Sequence, residues 1–294
     1  MADDTVLISD GGLATELEAR GHDLSDALWS ARLLADAPHE IAAVHAAFFG
    51  AGAKIATTAS YQASFEGFNA HGLGRDDTVR LLRRSVDLAV TARDEAGSGR
   101  WVAASVGPYG AALADGSEYR GRYGLSVKQL ENWHEPRLEV LAEAGADVLA
   151  LETVPDVDEA EALVNVVRRL GVPAWLSYTT DGGRTRAGQP LTEAFAVVVG
   201  VPEIVAVGVN CCAPDDVLPA IEVARQTGKP VIVYPNSGER WDDARRAWRG
   251  PSRFSAALAG QWVAAGARIV GGCCRVRPGD IAGISHIGSP SRRN

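Results

Sequence analysis

Residues 142–152 read AEAGADVLALE: the end of a helical stretch, a glycine, an apolar run, then an acid. Gly145 suits a helix C-cap, where a left-handed backbone meets no Cβ clash. Val148-Leu149-Ala150-Leu151 shows no polar alternation, the pattern of a strand buried on both faces of a parallel sheet. The same junction recurs as Ala51-Gly52-Ala53-Lys54 and as Ala265-Gly266-Ala267-Arg268. A unit that repeats near the start, the middle and the end of the chain points to one architecture throughout.

Working outward, comparable apolar runs occupy residues 5–9, 54–59, 101–106, 147–152, 174–179, 204–210, 230–235 and 268–272. Helical stretches at 40–49, 76–96, 128–142, 157–170, 216–226 and 255–264 lie between them. Within 76–96, Val79, Leu82, Val86, Ala89 and Val90 recur on one face, while Arg80, Arg83 and Arg84 lie largely elsewhere. Strands alternating with helices, alike at both ends, predict an α/β fold. The expectation is a single-domain (β/α)8 TIM barrel over residues 1–287, with 288–294 as a loose tail. Segments 107–124 and 237–251, which follow the third and seventh strands, become long loops over the active face.

The chain has 294 residues, 46% of them hydrophobic, and a net charge of -8. That composition supports a substantial core. The negative balance, with no run of Lys or Arg, argues against nucleic acid or an anionic membrane as partner and for small molecules. Residues 1–6, Met-Ala-Asp-Asp-Thr-Val, lack the basic and apolar regions of a secretory signal, and no apolar stretch approaches about 18 residues. A cytoplasmic location is expected; oligomeric state is not legible.

In a barrel, chemistry gathers at the C-terminal strand ends. Asn210-Cys211-Cys212 ends the sixth strand and Gly271-Gly272-Cys273-Cys274 the eighth. One strand separates them, and with neighbours about 4.8 Å apart their thiols can converge. Consecutive strand residues face opposite ways, so Cys273 and Cys274 share an ion only if the backbone leaves strand geometry, a departure Gly271 and Gly272 are expected to ease. Thiolates favour zinc over hard cations, and three ligands leave one tetrahedral position for a substrate. Two other readings stay open: cysteines packed as small apolar residues, and a vicinal disulfide, against which the missing Cys-x-x-Cys spacing argues.

At these positions the chain resembles the homocysteine S-methyltransferase family, whose zinc motif pairs Asn-Cys at one strand end with Gly-Gly-Cys-Cys at another. The likeness covers nearly the whole chain, from Asp10-Gly11-Gly12-Leu13-Ala14-Thr15-Glu16-Leu17-Glu18 to Gly271-Gly272-Cys273-Cys274-Arg275. Ser105-Val106-Gly107-Pro108-Tyr109-Gly110 and Asp115-Gly116-Ser117-Glu118-Tyr119-Arg120-Gly121 are more similar to the branch that uses S-methylmethionine or S-adenosylmethionine than to the betaine-dependent branch. The resemblance implies Zn2+ as cofactor on Cys211, Cys273 and Cys274, with Asp10 and Glu152 receiving the amino group of homocysteine. Both acids also end strands on the active face. Asp10 as a helix cap and Glu152 as a solvated acid are the plainer readings. Gly11 and Gly12 either offer backbone N–H groups to the substrate carboxylate or form a tight turn. Thr58, which closes the second strand, is a further candidate for substrate contact. Cys212 departs from the family pattern and either packs or supplies a fourth thiolate to a closed structural site.

The expected reaction is transfer of a sulfonium methyl to the zinc-activated thiolate of homocysteine, giving methionine, with no general base in the transfer. Selenocysteine or another small thiol as acceptor is the nearest rival, and a non-catalytic zinc- or thiol-binding barrel the more distant one. His22, His39, His45, His71, His134 and His286 show no metal-ligand spacing, and Trp241 and Trp248 receive no role.

Overall fold

In the computed structural model, residues 5–24, 29–242 and 247–288 are described. The strands are β1 (Leu7–Ile8), β2 (Ile55–Thr57), β3 (Trp101–Val106), β4 (Val148–Val154), β5 (Ala174–Tyr178), β6 (Ile204–Asn210), β7 (Val231–Tyr234) and β8 (Ala267–Val270). They form one 8-stranded parallel sheet in sequential order, with β8 returning to β1. The seam between β1 and β2 is joined by a Ser9–Ile55 bridge and by the Asp10 N–H, which donates to Ile55 O at 3.0 Å. This is the expected (β/α)8 barrel.

Helices Pro38–Gly50, Arg75–Ala96, Val127–Glu143, Val157–Leu170, Val217–Ala224, Ala256–Ala265 and Pro278–Ile284 follow the strands. Arg75–Ala96 turns Leu81, Leu82, Val86 and Ala89 inward and carries Asp76 and Asp77 in its first turn, where the helix dipole favours them. Gly52, Gly145 and Gly266 have φ of 103°, 92° and 119°, so the repeated junction does use the left-handed region. The loop 107–124 contains a helix at Tyr109–Leu113 and a 3-10 turn at Ser117–Tyr119. The loop after β7 differs from its expectation: Arg240–Asp242 pairs antiparallel with Ala247–Arg249. Of the predicted tail, only Gly288 lies among the described residues. No described helix is long and apolar enough to cross a membrane.

The core has two layers. Most buried apolar residues fill the space between sheet and helices. A smaller cluster of Ile55, Ala103, Ala150, Trp175, Ala206, Ile232 and Tyr234 fills the barrel interior. Three alanines there make room for Trp175, which is 2% exposed; burying one such side chain contributes on the order of 1.5–3 kcal/mol. Side chains two residues apart share a face of a strand. Above Ala103, Ala150, Trp175 and Ile232 the same faces therefore present Ser105, Glu152, Ser177 and Tyr234. The apolar floor of the barrel dictates which residues line its polar mouth.

Candidate active site

The three sequence-predicted metal ligands come together. The ligand atoms of Cys211, Cys273 and Cys274 all lie within 4.8 Å of one another, and Cys211 Sγ is 3.8 Å from Cys274 Sγ. Two thiolates on tetrahedral zinc, with Zn–S near 2.3 Å, stand about 3.8 Å apart. The donor set and spacing fit such an ion. It is the one metal-capable group of this kind among the described residues.

The backbone leaves strand geometry at the two glycines, since β8 ends at Val270. Gly271 and Gly272 do not adopt left-handed φ; Cys211 and Arg275 do, at 49° and 68°. The glycines are needed for close approach instead. A Cβ on Gly271 would lie 2.7 Å from Ser9 Cβ and 2.8 Å from Asp10 O, and one on Gly272 would lie 2.3 Å from Val276 Cγ1. The turn that carries the cysteines is tied to the segment after β7. Cys273 N donates to Pro235 O at 2.8 Å, Cys274 N to Asn236 Oδ1 at 3.1 Å, and Ser237 N to Cys274 O at 3.0 Å.

Hydrogen bonds from the Cys273 and Cys274 thiols hold Cys211 well below the usual thiol range, and those same contacts push Cys273 and Cys274 up. Cys211 is thus the thiol of the three whose charged form the cluster favours most, in a donor set that suits a soft cation. Cys212 stands apart. It is fully buried in the layer between sheet and helices, and burial pushes its thiol up to about 12. The metal-capable group comprises Cys211, Cys273 and Cys274 and does not include Cys212.

The two acids end β1, beside the cysteine-bearing β8, and the inward face of β4. Glu152 accepts from Ser105 Oγ on one oxygen and from Tyr234 OH at 3.0 Å on the other. Asp10 accepts from Thr57 N at 2.7 Å, from Thr57 Oγ1, and from Ser9 Oγ at 3.2 Å. It does not cap the helix Leu13–Ala19, whose N-cap is Gly12. Burial pushes both carboxyls up to about 7, and for Glu152 that value includes smaller contributions from the charges of Asp10 and Cys211. Among the described residues neither of these buried acids forms an ion pair, so both carry the cost of burial without a compensating cation.

The weaker candidates separate. Thr58 Oγ1 accepts from Ser105 N at 3.0 Å and sits 2.7 Å from Ser60 Oγ, so its hydroxyl braces β2 against β3, while Thr57 reaches Asp10. Gly12 N donates to Val276 O at 2.9 Å. A Cβ on Gly11 would lie 2.5 Å from Val276 O, and one on Gly12 2.6 Å from Cys273 O. Both glycines thus let the loop after β1 pack against the cysteine turn.

Sequence reading assigned nothing to several residues that shape this mouth. Tyr234, Ser177 and Asn210 continue a hydrogen-bonded chain from Glu152: Ser177 Oγ lies 2.6 Å from Tyr234 OH and donates to Asn210 Oδ1 at 2.9 Å. Period-two alternation upward from the apolar interior is the signal that finds them. Tyr119, from the loop after β3, places its OH 3.2 Å from Cys211 Sγ, and the Arg186 guanidinium lies 5.6 Å from its ring centroid. His134 is buried in a different cluster, 2.9 Å from Glu159 Oε1, beside Arg137, which donates to Gly107 O.

The family model described as homocysteine S-methyltransferase matches residues 7–287. The homocysteine S-methyltransferase of Escherichia coli (strain K12) is 46% identical over 95% of this chain and 94% of its own length. A selenocysteine Se-methyltransferase of Brassica oleracea var. italica is 42% identical over 98% of this chain and 90% of its own. Among solved structures, the metallated form of the homocysteine methyltransferase MmuM from Escherichia coli is similar with a TM-score of 0.87 and 43% identity over 97% of each chain.

Proposed function

Because the chain belongs to the homocysteine S-methyltransferase family, we propose that it transfers the methyl group of S-methylmethionine or S-adenosylmethionine to the thiol of L-homocysteine, giving methionine, with Zn2+ held by Cys211, Cys273 and Cys274. The observation that carries this reading is the pairing of a three-thiol cluster with two buried carboxylates that have no cationic partner among the described residues, at one barrel mouth. An amino acid bearing a thiol presents the complement of that pair. Zinc in this site supplies the Lewis acidity that brings a thiol of pKa about 8.5 to its nucleophilic form at neutral pH.

The chain's own residues do the remaining work. Asp10 and Glu152 bind the acceptor's ammonium, and the donors on them from Thr57, Ser105 and Tyr234 fix both carboxylates in place. The acceptor is thereby held at its amino end, with its sulfur directed to the cysteines. In the transfer, the acceptor sulfur forms a bond to the methyl carbon as the donor's carbon–sulfur bond breaks. That electron pair stays on the donor sulfur, which leaves as a neutral thioether, and the thiol proton passes to solvent. Alignment of the two sulfurs about the methyl is the main contribution to rate, and no side chain is required as general base.

The test is to incubate zinc-loaded protein and homocysteine separately with S-methylmethionine, S-adenosylmethionine and betaine, and to measure methionine and bound metal. Methionine from a sulfonium donor, at about one zinc per chain, is expected. Full turnover by metal-free protein overturns the zinc assignment. Zinc and homocysteine bound without methyl transfer from any donor leave a non-catalytic thiol-binding barrel. Selenocysteine in a parallel arm reads acceptor selectivity.

A further inference from the structure

A third acid, Glu118, lies near the thiol cluster with one of its two carboxylate oxygens unpartnered. Glu118 lies in the 3-10 turn Ser117–Tyr119, so it directly precedes the tyrosine whose OH is 3.2 Å from Cys211 Sγ. The turn is pressed onto the helix Tyr109–Leu113: a Cβ on Gly110 would lie 2.4 Å from Glu118 N and 2.6 Å from Ser117 C. Ser117 N donates to Asp115 Oδ1 at 2.9 Å and closes the turn from the other side. Held this way, the Glu118 side chain turns inward. Burial, opposed in part by a hydrogen bond from its own backbone, and then the charge of Cys211 raise its carboxyl, and Glu118 in turn raises the buried Tyr61 and Tyr123. Glu118 Oε2 and Ser117 Oγ are both buried without a hydrogen-bond partner, and among the described residues Glu118 makes no ion pair.

A buried carboxylate oxygen with neither hydrogen bond nor counter-ion is costly unless a ligand supplies the cation. The acceptor's ammonium already has Asp10 and Glu152, so Glu118 calls for a second positive charge beside the thiols. A sulfonium suits it. That ion has no N–H to donate and is held by charge and by aromatic surface, as other onium groups are. The Tyr119 ring already has a guanidinium 5.6 Å from its centroid, so its surroundings accept a cation.

We propose that Glu118, flanked by Tyr119, is the binding site for the donor's sulfonium cation and sets that cation against the thiol cluster. The inference rests on the sulfonium-donor reading above and assigns the residue that selects for it. Its consequence is asymmetric. The donor loses its positive charge when the methyl leaves, so Glu118 holds the substrate and releases the neutral thioether. Because the charge is already falling in the transition state, removing the carboxylate weakens donor binding more than it slows turnover.

The experiment uses the zinc-loaded full chain at saturating homocysteine, with S-methylmethionine as donor. Glu118→Gln is expected to raise the donor KM about tenfold, leave kcat within about twofold, and leave the homocysteine KM and zinc content unchanged. The inhibition constant of the uncharged isostere, in which carbon replaces the sulfonium sulfur, is expected not to move. Glu118→Asp, which keeps the charge, recovers part of the donor KM. An unchanged donor KM overturns the proposal, and so does an isostere that weakens in parallel with the donor. Wild type inert to every sulfonium donor overturns the donor reading itself, an outcome distinct from a wild type that turns over and is matched by Glu118→Gln.

Discussion

Asn210 grips Thr153 twice: its Oδ1 accepts from Thr153 N at 2.7 Å and its Nδ2 donates to Thr153 Oγ1 at 2.8 Å. Thr153 has φ of 58° and directly follows Glu152; Cys211 has φ of 49° and directly follows Asn210. One side chain thus joins two left-handed residues next to the acid and the thiol. Such conformations cost on the order of 1–3 kcal/mol each and persist only where surroundings enforce them. Asn210→Ala is expected to destabilise the metal-free protein by about 1–3 kcal/mol and to weaken metal binding by about 10- to 100-fold. Denaturant unfolding and chelator competition measure the two effects. Metal affinity within twofold of wild type would show that the clamp does not position Cys211.

The two cysteine pairs contain three thiols of one kind and one of another. Cys273→Ser is expected to lose bound zinc and activity together. Cys212→Ala, in the apolar layer, is expected to keep both, at a stability cost of about 1 kcal/mol from the small void. Metal analysis of the two purified variants decides it, and zinc loss from Cys212→Ala would return that thiol to the site.

Glu152→Gln preserves the shape of the acceptor pocket and removes one charge. The homocysteine KM is expected to rise by at least about tenfold, with zinc content retained and the donor KM little changed. Unaltered homocysteine affinity would separate Glu152 from the amino group.

Burial raises the carboxyls of Asp10 and Glu152 from ordinary values near 4 to about 7. Between those limits the folded, ligand-free protein binds more protons than the unfolded chain. Its stability therefore falls as pH rises from about 4 to about 7. An ammonium ligand favours the charged acids and reverses the penalty, so affinity for the amino acid rises over the upper part of that window. L-methionine, whose sulfur carries no proton, isolates this effect in calorimetry. Its Kd is expected to fall by on the order of tenfold between pH 6 and pH 8. A flat or opposite profile would place the amine elsewhere.

Much of this was legible in the chain because burial leaves a strong trace. Val148-Leu149-Ala150-Leu151 could only be an internal strand, and Gly145 and Gly266 marked where helices stop. The convergence of Cys211, Cys273 and Cys274 was legible from their standing at strand ends, and the roles expected of Asp10 and Glu152 came from the family resemblance, with their strand-end positions in support. What lay beyond reach depends on the stagger between strands. Ser105, Ser177, Asn210 and Tyr234 meet around Glu152 only because neighbouring strands bring their inward faces to one level, and no single segment records that level. Gly271 and Gly272 show a second limit. A glycine permits both unusual φ and close approach, and only its neighbours, here Ser9, Asp10 and Val276, reveal which one the fold needs. Cys212 shows a third: the left-handed turn at Cys211 decides which of the adjacent thiols enters the mouth.

The seam at β1 has a consequence for how the protein is made. Ser9 N donates to Val270 O, Gly272 N to Asp10 O, and Gly12 N to Val276 O, so the first acid and the last cysteines are stitched together across some 260 residues of chain. Contacts of such sequence separation form late, because the loop between them must be closed first. During synthesis, Cys211 has no thiol partners and Asp10 lacks one flank until β8 has left the ribosome and docked. A barrel caught before that moment has neither the three-thiol cluster nor the paired acids, and the proposed chemistry becomes available only on completion of the fold.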